Sequence, residues 1–151
     1  MNDQLILQQL PYAPPFLFVD GLTKMDENGV DGFYTFQKEA DFYKGHFKDY
    51  PMTPGVLLTE CCAQIGLVCL GIVLLRAIDT LNNDTLQIAF TSSEMEFYLP
   101  VLPGEKVVVT SEKIYFRFQK LKCLVKMYTT DGKLVCKGTL AGMFKTVSNE
   151  Y

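Results

Sequence analysis

VLLTECCAQIGLVCLGIVLLRAI, residues 56–78, decides the architecture of this chain. The stretch is apolar on nearly every face and long enough to cross a bilayer. Glu60 and Gln64 interrupt it, as do Gly66 and Gly71. A carboxylate at that depth is costly in lipid, whereas a helix apolar all round is what the centre of a soluble core requires. The stretch is therefore predicted to be a buried core helix rather than a membrane span. Thr53 reads as its N-cap and Pro54 as its first helical residue. Asn82-Asn83-Asp84 ends it.

Outward from this helix the chain is rich in strands. Residues 4–10 read as a short helix stopped by Pro11, Pro14 and Pro15. A strand begins at residues 16–20 and runs to Met25. The turn Glu27-Asn28-Gly29 then leads to a second strand at residues 30–37. Residues 38–53 form a loop, and loops of that length inside a small domain are often functional. Four further strands are predicted at residues 86–97, 105–118, 122–129 and 133–145. Asp131-Gly132 provides a type I′ turn in the last hairpin. The order implies an α+β fold, an antiparallel sheet around one long central helix, as a single domain over residues 1–151. A sheet wrapped on one helix leaves edges exposed, and pairing two copies edge to edge would cover one of them. A dimer or larger assembly is expected.

Composition limits the function classes. The net charge is −3 with no long basic run, which argues against nucleic acid as a partner. Docking of an acidic partner would need a local basic patch. The N-terminal residues carry no basic segment followed by an apolar one, so no signal peptide is read. Five cysteines, with no metal-binding spacing, suit a reduced, cytoplasmic setting.

The chemistry is concentrated in GHFKDYPMTPGVLLTECCAQ, residues 45–64. His46 is the only histidine, and imidazoles exchange protons near neutral pH. By itself it would read as a surface loop histidine. Glu60 lies inside an otherwise apolar helix, where burial raises a carboxyl's pKa and suits it to be a general acid or to hold water. Its plainer role is a structural carboxylate bonded to backbone. Gln64 lies at i+4 on the same face; it orients Glu60 or simply satisfies it, with the structural role favoured. Gly55 lies at the helix start, where unpaired N–H groups and the helix dipole suit a developing oxyanion. It equally permits the turn after Pro54.

This stretch resembles the beta-hydroxyacyl-[acyl-carrier-protein] dehydratases of fatty-acid synthesis. They carry Gly-His-Phe, then Pro-x-x-Pro-Gly, then an acidic residue and Ala-Gln on the central helix. LPYAPPFLFVD at residues 10–20 and MEFYLPVLPG at residues 95–104 resemble the family's opening and its later connection, in matching order. The resemblance implies the hot-dog fold. It implies dehydration of a 3-hydroxyacyl thioester to a trans-2-enoyl thioester, with an acyl carrier protein presenting the substrate. His46 would take the C2 proton, Gly55 would stabilise the enolate-like oxygen, and Glu60 would help the hydroxyl leave. Phe47, Met52 and Gln64 join Gly55 as substrate-binding residues. No metal or redox cofactor is needed. The resemblance further implies a homodimer or trimer of dimers whose active site takes His46 from one subunit and Glu60 from the other. The acyl chain would occupy an apolar tunnel beside the helix.

Four positions depart from the family pattern. Tyr12 stands where a histidine is usual, Lys48 where a proline is usual, and Cys61 and Cys62 where small or aliphatic residues are usual. They surround the catalytic pair without altering it and bear on substrate type. Polyketide or aryl-polyene assembly is thus an alternative setting to bulk fatty-acid synthesis. Two rival readings are a hot-dog thioesterase, which has no need of Gly-His-Phe, and a non-catalytic acyl-binding homologue that has kept the fold.

Overall fold

The computed structural model describes residues 2–81 and 85–147. Gly55–Ala77 forms one long helix, α2, and 78% of its most apolar window is buried inside the protein. That is the place of a core helix, as its composition requires. Ile65, Leu67, Cys69, Leu70, Ile72 and Leu75 are all fully buried. The helix has three parts: α-helical turns over Gly55–Cys62 and Cys69–Ala77, and a wider π-helical turn over Ala63–Val68 between them. In the wide turn the Cys69 N–H donates to the Gln64 carbonyl, five residues back. The stop expected at residues 82–84 lies outside the described residues.

A six-stranded antiparallel sheet covers the helix. The short helix α1 is Asp3–Gln8, and the strands are β1 (Gly21–Met25), β2 (Val30–Thr35), β3 (Thr85–Phe97), β4 (Lys106–Arg117), β5 (Lys120–Thr129) and β6 (Leu134–Val147). Their order across the sheet is β1-β2-β4-β5-β6-β3, which leaves β3 at one edge. Alternation fixes the inner face. On β5, Leu121, Cys123, Val125 and Met127 are fully buried, while Lys120, Lys122 and Lys126 alternate with them on the other face. All five cysteines are free and buried.

Three local expectations are corrected. Thr53 does not cap α2. Its hydroxyl lies 2.6 Å from the Tyr43 hydroxyl, so a tertiary partner has taken the group that would have capped. Pro54 is the N-cap instead, and its carbonyl accepts from the Leu57 and Leu58 N–H groups. Residues 16–20 are not strand, because helix side chains hold their main-chain groups. Gln64 bonds Phe16 and Phe18, and the Cys61 thiol reaches the Phe18 carbonyl. The turn at Asp131-Gly132 is not type I′, since only Gly132 has positive φ (88°) there. Both central residues of a type I′ turn have positive φ, and the pair that does is Phe118-Gln119 (φ 52° and 61°), between Arg117 and Lys120. The long loop also contains a single 3-10 turn, Asp41–Lys44.

Close packing of helix on sheet depends on Gly71. A Cβ there would lie 2.2 Å from Cζ of Phe144, a ring only 2% exposed. Gly71→Ala is therefore expected to destabilise the protein by about 1–3 kcal/mol through overpacking. Urea denaturation measures this, and an unchanged midpoint would contradict it.

Candidate active site

His46 follows the 3-10 turn, and its backbone N–H donates to the Phe42 carbonyl at 3.0 Å. Its ring is half-buried. Nδ1 lies 2.8 Å from the Met52 carbonyl oxygen. A carbonyl only accepts, so Nδ1 is the donor, and in the neutral ring Nε2 is the nitrogen with the free lone pair. The Met52 N–H returns a hydrogen bond to the His46 carbonyl at 2.8 Å, closing the intervening loop on itself. Phe47 stacks on the imidazole at 4.1 Å and is 44% exposed. The His46–Phe47 peptide is cis. Sequence reasoning missed the Tyr43–Thr53 pair, which fastens this loop to the start of α2. The aromatic richness of residues 38–53 was its only trace.

Gly55 is the first residue of α2. Among the described residues no hydrogen bond is recorded for its N–H. With Met52, Leu58, Phe97 and Tyr98 it borders a cavity of about 380 Å³. A methyl group at position 55 would meet the Phe97 ring at 3.5 Å, an ordinary contact, so the fold itself does not demand glycine here.

Glu60 lies further along the same helix. Gln64 Nε2 donates to its Oε2 at 2.9 Å, and the same nitrogen donates to the Phe16 carbonyl at 3.1 Å. Gln64 Oε1 accepts from the Phe18 N–H at 2.7 Å. The amide is fully buried, and these three bonds fix which end is oxygen. Gln64 thus braces residues 16–18, contacts the sequence did not suggest, and also hydrogen-bonds the Glu60 carboxyl group. Glu60 faces a second cavity of about 180 Å³, shared with Tyr12, Phe16, Leu67 and Phe90. Among the described residues no hydrogen bond or ion pair joins His46 to Glu60. One chain therefore holds the histidine with Met52 and Phe47, and the carboxylate separately with Gln64.

Burial pushes the Glu60 carboxyl above the ordinary carboxylate range, and the Gln64 hydrogen bond offsets part of that rise. Burial, and then the nearby Glu60, also raise the Tyr12 phenol. With a raised carboxyl, the folded state keeps a proton that the unfolded chain releases. Charging Glu60 thus weakens the fold as pH climbs out of the ordinary carboxylate range. Glu60→Gln is expected to be more stable than the parent at about pH 7 and equal to it near about pH 3. Unfolding midpoints across that range test this, and a gap independent of pH would contradict it.

The antiparallel sheet wrapped round one apolar helix makes this a hot-dog protein. A family profile described as a FabA-like domain matches residues 10–141, and the chain belongs to that family. The 3-hydroxyacyl-[acyl-carrier-protein] dehydratase FabZ of Acinetobacter baylyi is 32% identical over an alignment of 141 residues that covers 89% of this chain and 88% of that protein. The protein of the same name from Bacillus licheniformis is 32% identical, with 93% of each chain covered. Among solved structures, the dehydratase heterocomplex ApeI:P of Xenorhabdus doucetiae superposes with a TM-score of 0.74 at 12% identity, covering 91% of this chain and 89% of that one. A mutant thioesterase, PA1618 of Pseudomonas aeruginosa, gives 0.67 at 9% identity over 97% and 96%. At such identities these two structures speak for the fold alone.

Proposed function

We propose that this enzyme, a 3-hydroxyacyl-[acyl-carrier-protein] dehydratase by family and by its relatives, performs the elimination with His46 and Glu60. The observation that carries this reading is the Met52 carbonyl on Nδ1, which leaves Nε2 as the base. Nε2 removes the C2 proton, and the electron pair moves toward the thioester oxygen, where the Gly55 N–H stabilises it. The pair then forms the C2–C3 double bond as the C3–O bond breaks. Glu60 in its protonated form, the form that burial favours, gives its proton to the departing hydroxyl, and water leaves. The proton on His46 returns to Glu60 and resets the site. Phe47 and Met52 position the ring, and Gln64 positions the carboxyl. Each step is a proton transfer or a bond cleavage that these groups can drive.

Within one chain His46 and Glu60 keep separate hydrogen-bond partners, the Met52 carbonyl and Gln64, which supports a site shared between two subunits, His46 from one and Glu60 from the other. The outer edge of β3, with Phe90 and Phe97 about half exposed, is the surface for such a homodimer or for a trimer of dimers. A basic face supports docking of an acidic acyl carrier protein. Arg117, Lys120, Lys122 and Lys126 share the outer face of β4 and β5 with one carboxylate, Glu112. The register sets Arg117 opposite Lys120 and Lys137 opposite Lys126. A cytoplasmic setting, in fatty-acid synthesis or in polyketide or aryl-polyene assembly, fits this chemistry.

The test is incubation with carrier-linked 3-hydroxyacyl thioesters, following enoyl absorbance and free thiol together. Enoyl product without thiol is expected. Thiol without enoyl product would assign a thioesterase, and neither signal would assign an acyl-binding role.

A further inference from the structure

Two cavities meet at one side chain that departs from the family pattern. The smaller, about 180 Å³, lies against Glu60. The larger is a groove of about 900 Å³ at the outer end of the sheet, reaching Leu86, Met143 and Lys145. Tyr12 and Ile88 line both, so they form the partition between them. Tyr12 is half-buried, and its ring packs beside Phe16 at 6.5 Å. Phe16 is itself tied to α2 through Gln64. Ile88 is half-buried on β3, opposite Phe144 of β6. The partition therefore joins the N-terminal segment to the edge strand, beside the carboxylate.

We propose that Tyr12, backed by Ile88, is the wall that sets how long an acyl chain this enzyme accepts. This rests on the dehydratase reading, in which the reacting C3 lies at Glu60 and the rest of the acyl chain runs into the adjoining cavity. At about 30 Å³ per water-sized group, the smaller cavity holds about six chain atoms beyond C3. A longer chain meets the Tyr12 ring. The groove beyond has the volume for a long chain, and its lining by Leu86, Ile88, Ala89, Met143 and Phe144 is apolar enough to receive one. The substrate class is therefore short to medium 3-hydroxyacyl thioesters, and the residue that excludes longer ones is an aromatic ring where the family has an imidazole.

The experiment measures kcat/KM for carrier-linked 3-hydroxyacyl substrates of increasing chain length, in the parent protein and in Tyr12→Phe, Tyr12→Ala and Ile88→Ala. The parent should lose activity once the chain outgrows the smaller cavity. Tyr12→Phe keeps the ring and should keep that length profile. Tyr12→Ala and Ile88→Ala open the partition and should each raise the long-to-short ratio by at least about tenfold, the scale of discrimination an apolar pocket achieves per methylene. If Tyr12→Ala fails to fold, Ile88→Ala decides alone. An unmoved profile in the alanine variants that fold, with a parent that turns over short chains, overturns the wall and leaves the dehydratase reading standing. A parent that dehydrates no chain of any length overturns both.

Discussion

His46→Ala is expected to lower kcat/KM for dehydration by about 10²–10⁴-fold, the usual contribution of a positioned general base. Glu60→Gln should do the same, because its amide keeps the hydrogen bond from Gln64 but its N–H is far too weak an acid to protonate the leaving hydroxyl. Neither change touches the main core. Circular dichroism of both variants should match the parent, which separates lost chemistry from lost fold. The arrangement of the two groups makes a sharper expectation. If each site takes its histidine from one subunit and its carboxylate from the other, mixing the two inactive proteins creates dimers with one intact site. Random reassortment of equal amounts gives about half heterodimers, each with one of two sites restored, so about a quarter of the parent activity returns. Recovery of no activity after verified subunit exchange would place both groups of a site in the same chain.

Gln64→Leu is expected to cost about 2–6 kcal/mol, because it strips partners from two main-chain groups under residues 16–18, at about 1–3 kcal/mol for each unsatisfied buried group. Urea denaturation would read that loss. The variant also removes the Gln64 hydrogen bond, which favours the Glu60 carboxylate. The Glu60 pKa should therefore rise further, and the pH limb on which Glu60 loses its proton should move to higher pH. A variant that is less stable but has an unshifted pH profile would reduce Gln64 to a brace for residues 16–18.

The helix and the succession of strands along the chain could be read from sequence because they depend on local pattern. An apolar run with a carboxylate in it has few places to go, and alternation such as that on β5 assigns a face directly. The motif at residues 45–64 likewise pointed to His46, Gly55 and Glu60 as the candidates. The features that sequence missed depended on distant partners. Thr53 is a good capping residue, but Tyr43 reaches its hydroxyl first. Residues 16–20 have strand composition, but a side chain from α2 takes the hydrogen bonds a neighbouring strand would have made. The Phe118-Gln119 turn has none of the residues that normally mark positive φ, so it escaped notice while Asp131-Gly132 drew attention. Tyr12 stood out only as a departure, and its place between two cavities became visible once β3 was set beside it.

The wide turn at Ala63–Val68 puts the two halves of α2 out of phase. A regular helix would carry the azimuth of Glu60 and Gln64 unbroken to Gly71, but an extra residue in one turn rotates the C-terminal half by about 100°. The first half is thereby aimed by the demands of the carboxylate, and the second by the demands of the Phe144 ring. Removing one residue from that turn would restore a regular helix and misalign one half against its surroundings. The single irregularity thus lets one rod satisfy two angular requirements that a uniform pitch could not meet together.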